Sequence, residues 1–197
     1  SSGATGIRIQ FGDFAVGAGK VWIYSDSDAA QSQGPFTGRG TFSNGEFWSG
    51  TTWGDTAIVE YQPADAKDRS VPFRIRGLSH RVTLRPGLGR LITPVTADPA
   101  ASCNLDVTCY PEWSDAVKMV SEINFQTEEN GQQFEAACTA SLIATRDNSM
   151  KPYLLTAGHC IHNEADARTL ETFWTYQTSQ CAGAAPVMST STTSQVG

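Results

Sequence analysis

The chain has 197 residues, with 20 acidic against 14 basic side chains and a formal net charge of −6. No basic block offers a nucleic-acid footprint, and no apolar run approaches the roughly eighteen residues that cross a bilayer, so neither nucleic acid nor membrane is an expected partner. Apolar residues at 40% and charged residues at 17% suit a packed core rather than disorder, and the length leaves room for one large or two small domains. Ser1 to Gln10 lacks a basic stretch followed by a long apolar one, so the chain is expected to begin after processing or to be cut from a longer precursor.

In chain order, Ile7 to Phe11 alternates apolar and polar as a half-buried strand does, and Val21 to Tyr24 is a second strand rich in β-branched and aromatic residues. Gln33 to Gly45 is glycine-rich and reads as a long loop. Glu46 to Ser49 and Thr56 to Tyr61 are further strands, separated by Trp53-Gly54-Asp55. Val71 to Arg76 is another, which Pro72 places at an edge or makes begin later, and His80 to Leu84 continues it. Short strands between turns, without a helical period, indicate a small antiparallel β-sandwich over residues 1–85. Its aromatics Trp22, Phe47, Trp48, Trp53 and Tyr61 either line a carbohydrate or peptide groove or fill the core and cap loops; the second reading is favoured.

Residues 86–102, with Pro86, Gly87, Gly89, Pro94 and Pro99, read as a linker, and residues 103–197 as a second domain. There Ser114 is a candidate N-cap for one short helical turn. Ile123 to Phe125 and Phe134 to Ile143 are strands joined by a hairpin turn over Glu128 to Gln132. Pro152 to Thr156 and Thr172 to Tyr176 are two more. Ala182 to Gly197 is small and polar, and reads as a loop or frayed end.

Five cysteines (Cys103, Cys109, Cys138, Cys160 and Cys181) lie in the second half, an odd number with no C-x-x-C pair, which argues against a zinc knuckle or a thioredoxin-type site. The chemically pointed stretch is Leu154-Leu155-Thr156-Ala157-Gly158-His159-Cys160. A serine hydroxyl needs a base whose pKa lies near working pH, and imidazole, at about 6.5, is the side chain that qualifies without a large shift. The base must also be held rigidly, which a neighbouring disulfide can do. Taken alone, His159 is more readily an ordinary loop histidine than a catalytic base, because most histidines are not catalytic.

His159 does not stand alone. Cys138-Thr139-Ala140-Ser141-Leu142-Ile143 together with Thr156-Ala157-Gly158-His159-Cys160 resembles the chymotrypsin/trypsin family of serine endopeptidases, departing at Ala140, where that family usually has glycine. Cys103-Asn104-Leu105-Asp106-Val107-Thr108-Cys109 is similar to the start of the catalytic domain in the lysyl-endopeptidase-like branch. Roughly residues 6–84 resemble a β-sandwich that precedes the catalytic domain in secreted bacterial proteases of that type, through Ile7 to Phe14, Val21 to Ser25, Gly34 to Gly40, Gly45 to Ser49, Gly54-Asp55-Thr56 and Glu60-Tyr61.

The resemblance implies an all-β protein: a β-sandwich followed by the first, incomplete β-barrel of a trypsin-like double barrel. It implies His159 as general base, disulfides Cys138–Cys160 and Cys109–Cys181, and Cys103 left unpaired because its partner lies near the end of the protease domain. It further implies a secreted monomer acting on protein or peptide substrates, with no cofactor and no metal.

The rest of a serine protease is missing. No G-[DS]-S-G-[GS] nucleophile motif occurs, Ser141 lies in a strand, and Ser189, Ser191 and Ser194 lack flanking glycines. Glu164, Asp166 and Glu171 follow His159 closely and read as solvated loop charges, so none is nominated as the triad acid. The chain by itself is expected to be inactive. The competing reading is a non-catalytic secreted binding protein using the aromatic-rich sandwich. A metal site built on His159 and His162 is disfavoured, since H-x-x-H lacks the i, i+4 spacing of a helical zinc pair.

Overall fold

A computed structural model describes residues 3–82 and 105–195, apart from 148, 185 and 191. The chain divides into two compact units, Ser1–Pro94 and Val95–Val196. Both are built from antiparallel β-structure; among the described residues the one α-helix, α1 (Glu164–Ala167), is four residues long. The expected all-β class therefore holds.

In the first unit, β1 (Ala4–Gly12) is the centre of one sheet. The two-residue strands β4 (Phe47–Trp48) and β5 (Thr52–Trp53) pair with its two halves, and β7 (Arg74–Val82) pairs along its length. A second sheet has the order β3 (Gln33–Gly38), β2 (Gly17–Ser25), β6 (Ala57–Gln62). Strand alternation sends Ile7, Ile9 and Phe11 of β1 and Val21 and Ile23 of β2 into one buried cluster with Phe14, Val16 and Phe47. Phe11 is fully buried and meets the rings of Phe14, Phe47 and Phe73 at centroid distances of 5.6, 5.0 and 5.6 Å. Burying such a side chain is worth about 1.5–3 kcal/mol, and each ring pair adds about 0.5–1.5.

Of the other aromatics singled out, Phe47 is in this core and Tyr61 packs against it. Trp48 and Trp53 are half-buried, with the Arg8 and Arg81 guanidinium groups 6.0 and 5.5 Å from their rings, and Trp22 is also half-buried.

Two readings of this unit need correction. Gln33 to Gly38 is a strand rather than loop: Phe36 pairs with Val21 and packs on Phe47, and an edge position with irregular register tolerates Gly34 and Pro35. The remainder does turn, and Gly40 is required there, because at φ +78° a Cβ would lie 2.4 Å from the Phe47 ring. Trp53 belongs to β5 rather than to a separator. The strand after Pro72 begins at Arg74, while the Pro72 carbonyl accepts from Ala15 N–H at 2.9 Å. Leu84, the 86–102 linker and Cys103 lie outside the described residues.

The second unit opens with three 3₁₀ turns, Val107–Cys109, Pro111–Trp113 and Ala116–Met119. Ser114 closes the second of these and does not cap a helix start. Its φ/ψ of −56°/−27° is helical, whereas an N-cap needs extended backbone. A long hairpin follows, β8 (Val120–Glu129) and β9 (Gln132–Ile143), paired from Val120↔Ser141 to Glu129↔Gln132. Asn130 and Gly131 both have positive φ, 54° and 76°, as a two-residue type I′ turn demands.

The sheet is completed by β10 (Tyr153–Leu155) beside β9, β11 (Glu171–Trp174) beside β8, and β12 (Thr192–Gln195) beside β11. β12 corrects the frayed-end reading: a run of β-branched threonines has the backbone preference of a strand and finds an edge to pair with. Ile123, Phe125, Ala140, Cys160 and Leu170 form the core of this unit.

Candidate active site

β10 delivers His159. Its end is tied to β9 by the Thr156 hydroxyl, which donates to the Thr139 carbonyl at 2.9 Å. The chain then turns through Ala157–Gly158–His159–Cys160, closed by Cys160 N–H donating to the Ala157 carbonyl at 2.9 Å. Cys160 is buried and bonded to Cys138, whose position on β9 is fixed opposite Ile123 of β8. His159 itself is exposed, with a ring nitrogen within 4.8 Å of both sulfurs. Oxidised to a disulfide, those sulfurs carry no thiolate and cannot hold a metal ion. An exposed imidazole on a turn pinned at both ends is geometrically suited to take a proton from a hydroxyl brought to it. Among the described residues it has no hydrogen-bonded partner.

The three acids after His159 are not all solvated. Glu164 is exposed and pairs with Arg168 along α1, but Asp166 is only 5% exposed and Glu171 only 2%. The Asp166 carboxylate accepts from Asn163 Nδ2 at 2.8 Å and from the Thr127 hydroxyl at 3.3 Å, while Asn163 caps α1 by accepting from Asp166 N–H at 2.8 Å. Glu171 lies in the sheet opposite Asn124. Charge counted from the sequence hid this, because a polar partner far along the chain lets a carboxylate go under the surface. Of the serines, Ser141 sits in the β9 ladder opposite Val120 and Leu155, Ser189 in a 3₁₀ turn, and Ser194 in β12; Ser191 is outside the described residues.

The second disulfide, Cys109–Cys181, joins chain 72 residues apart. Beside it Asp106 makes a clamp that the sequence reading passed over. Its carboxylate accepts from Thr108 N–H at 3.0 Å, from the Thr108 and Thr178 hydroxyls at 2.8 Å each, and from Ala182 N–H at 2.9 Å. These donors, first the Thr108 N–H and then its hydroxyl, hold the Asp106 pKa below the ordinary carboxylate value. The signal was present in Asp106-Val107-Thr108, an aspartate two residues before a hydroxyl residue, which is the spacing of an Asx-turn. An open cavity of about 560 Å³ lies next to this region, walled by Val107, Trp113, Val117, Val120, Cys138 and Tyr176 among others.

Residues 97–197 match the family described as lysyl endopeptidase, C-terminal domain. The chain belongs to this family. It is also 26% identical over 173 residues to the lysyl endopeptidase of Pseudomonas aeruginosa, an alignment that covers 82% of this chain and 35% of that relative. The chain thus spans about a third of the length of this curated relative. No solved structure matches it.

Proposed function

We propose that this chain is the N-terminal portion of a secreted serine endopeptidase of trypsin-like type, acting on protein or peptide substrates, and that His159 is its general base. The observation that carries the reading is the placement of His159: exposed, at the end of a strand, on a turn locked by Cys138–Cys160, within the segment that matches the protease family. In this reading residues 1–85 are an accessory or pro-domain β-sandwich, 86–102 a linker, and 103–197 the first part of the catalytic domain. The order β10-β9-β8-β11-β12 leaves β10 and β12 as the sheet's edges among the described residues, which suits a barrel lacking the strand that closes it. In this reading the acid, the nucleophile and the partner of Cys103 come from elsewhere in the longer polypeptide, and the chain alone is inactive.

The test is His159→Ala in that longer polypeptide. A general base of this kind is worth about 10⁴-fold or more in kcat, with KM changed only a few-fold, because its contribution is made in the transition state. A variant retaining kcat within tenfold, with the disulfide intact, would remove His159 from the mechanism. The aromatic-rich first unit keeps a second reading open, that of a binding module, through half-buried Trp22, Trp48 and Trp53.

A further inference from the structure

The cavity between the 3₁₀ turns and the sheet of the second unit plays no part in the chemistry of His159. We propose that it is a binding site for a small aromatic molecule carrying one N–H or O–H donor, of the indole or phenol kind. Its volume of about 560 Å³ falls within the range of pockets that hold such molecules. Val107, Val117 and Val120 give it aliphatic walls, and Trp113 and Tyr176 add rings on which a planar ligand packs offset or edge-on.

Two polar atoms set the chemistry of the ligand. Ser121 and Gln177 both line the cavity. Ser121 is only 2% exposed, and among the described residues neither its hydroxyl nor Gln177 Oε1 has a hydrogen-bond partner. A buried polar atom left unmatched is costly, and in a cavity its match comes from whatever occupies the space. Gln177 Oε1 only accepts, so its complement is an N–H or O–H, whereas the Ser121 hydroxyl either donates or accepts. Glu122 also lines the cavity, which disfavours an anion there. A hydrocarbon would leave both atoms unmatched. Indole or phenol covers the apolar walls and gives Gln177 its donor.

The frame around the cavity holds it open. Val107 and Trp113 lie on turns tied to the segment after β11 by Cys109–Cys181 and by the Asp106 carboxylate, which accepts from the Thr178 hydroxyl at 2.8 Å and from Ala182 N–H at 2.9 Å. Ser121 is fixed in the sheet between Ala140 of β9 and Trp174 of β11. Three residues beyond Trp174, Gln177 N–H donates to the Thr175 carbonyl at 2.9 Å, and Thr175 has a φ of 54°. A β-branched residue in the left-handed region is strained, and such strain persists only where the surrounding contacts over-determine it. A site formed before its ligand arrives loses little binding energy to ordering.

The experiment is a titration of the full chain with indole, followed by heteronuclear amide NMR. Indole should bind with a dissociation constant of about 1 mM or tighter and shift the resonances of Ser121, Thr175 and Gln177. N-methylindole, which keeps the ring and lacks the donor, should bind about tenfold more weakly, and Gln177→Leu should weaken indole by about the same factor. Val117→Trp fills the space and should abolish binding. Gln177 lies outside the sheet, so Gln177→Leu keeps the test decisive where Val117→Trp does not fold. The proposal is overturned if those resonances do not move, if indole and N-methylindole bind alike, or if Gln177→Leu binds as the parent does. Binding that is present in this chain and lost in the longer polypeptide also overturns it, by giving the cavity to another part of that polypeptide. Proteolysis is not measured, so the outcome is independent of the His159→Ala kinetics.

Discussion

Replacing Cys109 and Cys181 together with alanine tests how the second unit is held. The bridge closes 72 residues, and the loop-closure relation assigns it about 4.4 kcal/mol at 25 °C, against about 3.4 kcal/mol for the 22-residue separation of Cys138–Cys160. Real denatured chains are partly compact, so the expected loss is about 3–4 kcal/mol. The assay is hydrogen exchange read by mass spectrometry in a urea series. β8 and β9 carry both the ladder and the core of the second unit, so their exchange should accelerate by the factor that this free energy sets, a few hundredfold. β1 and β2 belong to the first unit and serve as the internal reference. A loss under about 1 kcal/mol at β8–β9 would refute the reasoning, because it would mean that the segment carrying Cys181 is not held to the 3₁₀ turns in the folded chain. An equal loss in β1 and β2 would refute it differently, by showing that the two units unfold as one.

Asp106 predicts an acid limb. Its folded pKa is lowered, so its stabilising contribution is complete above the unfolded carboxylate value of about 3.9 and is lost as pH falls through the lowered folded value. Asp106→Asn should flatten the fall in Tm below about pH 4 and leave the neutral-pH slope alone; an unchanged acid limb would show that the clamp is not formed in solution. Asp166→Ala leaves Asn163 Nδ2 and the Thr127 hydroxyl without their acceptor and should cost about 1–3 kcal/mol by denaturant melting. In the longer polypeptide the same variant should keep kcat within a few-fold; a loss as deep as that of His159→Ala would make Asp166 part of the catalytic machinery.

What the residues disclosed depended on how local the cause was. Ile7-Arg8-Ile9-Gln10-Phe11 gave β1 because alternation is a property of consecutive residues, and Asn130-Gly131 gave the hairpin because a two-residue turn needs those residues at positive φ. β3 was hidden behind Gly34 and Pro35, since what makes it a strand is Phe36 reaching Phe47, eleven residues on. β12 was hidden for the same kind of reason: small polar residues do not show that an edge is waiting for them at β11. At the site, the Thr156 to Cys160 turn was legible from a motif, whereas the burial of Asp166 and Glu171 was not. Asn163 stands only three residues before Asp166, but Thr127 lies 39 residues away and the sheet partner of Glu171, Asn124, is likewise remote, so no window around either acid shows what covers it.

The position of β10 bears on how such a chain would behave in a tube. Among the described residues it pairs with β9 alone, and it carries Tyr153 and Leu155, 48% and 60% exposed, beside Ile143 at 45%. An edge strand with apolar flanks is a template for another chain's strand. Yield and solubility of the isolated chain would then be limited by edge-to-edge sticking rather than by the stability of its cores. A lysine placed at Leu155 would be a remedy that touches neither disulfide nor His159.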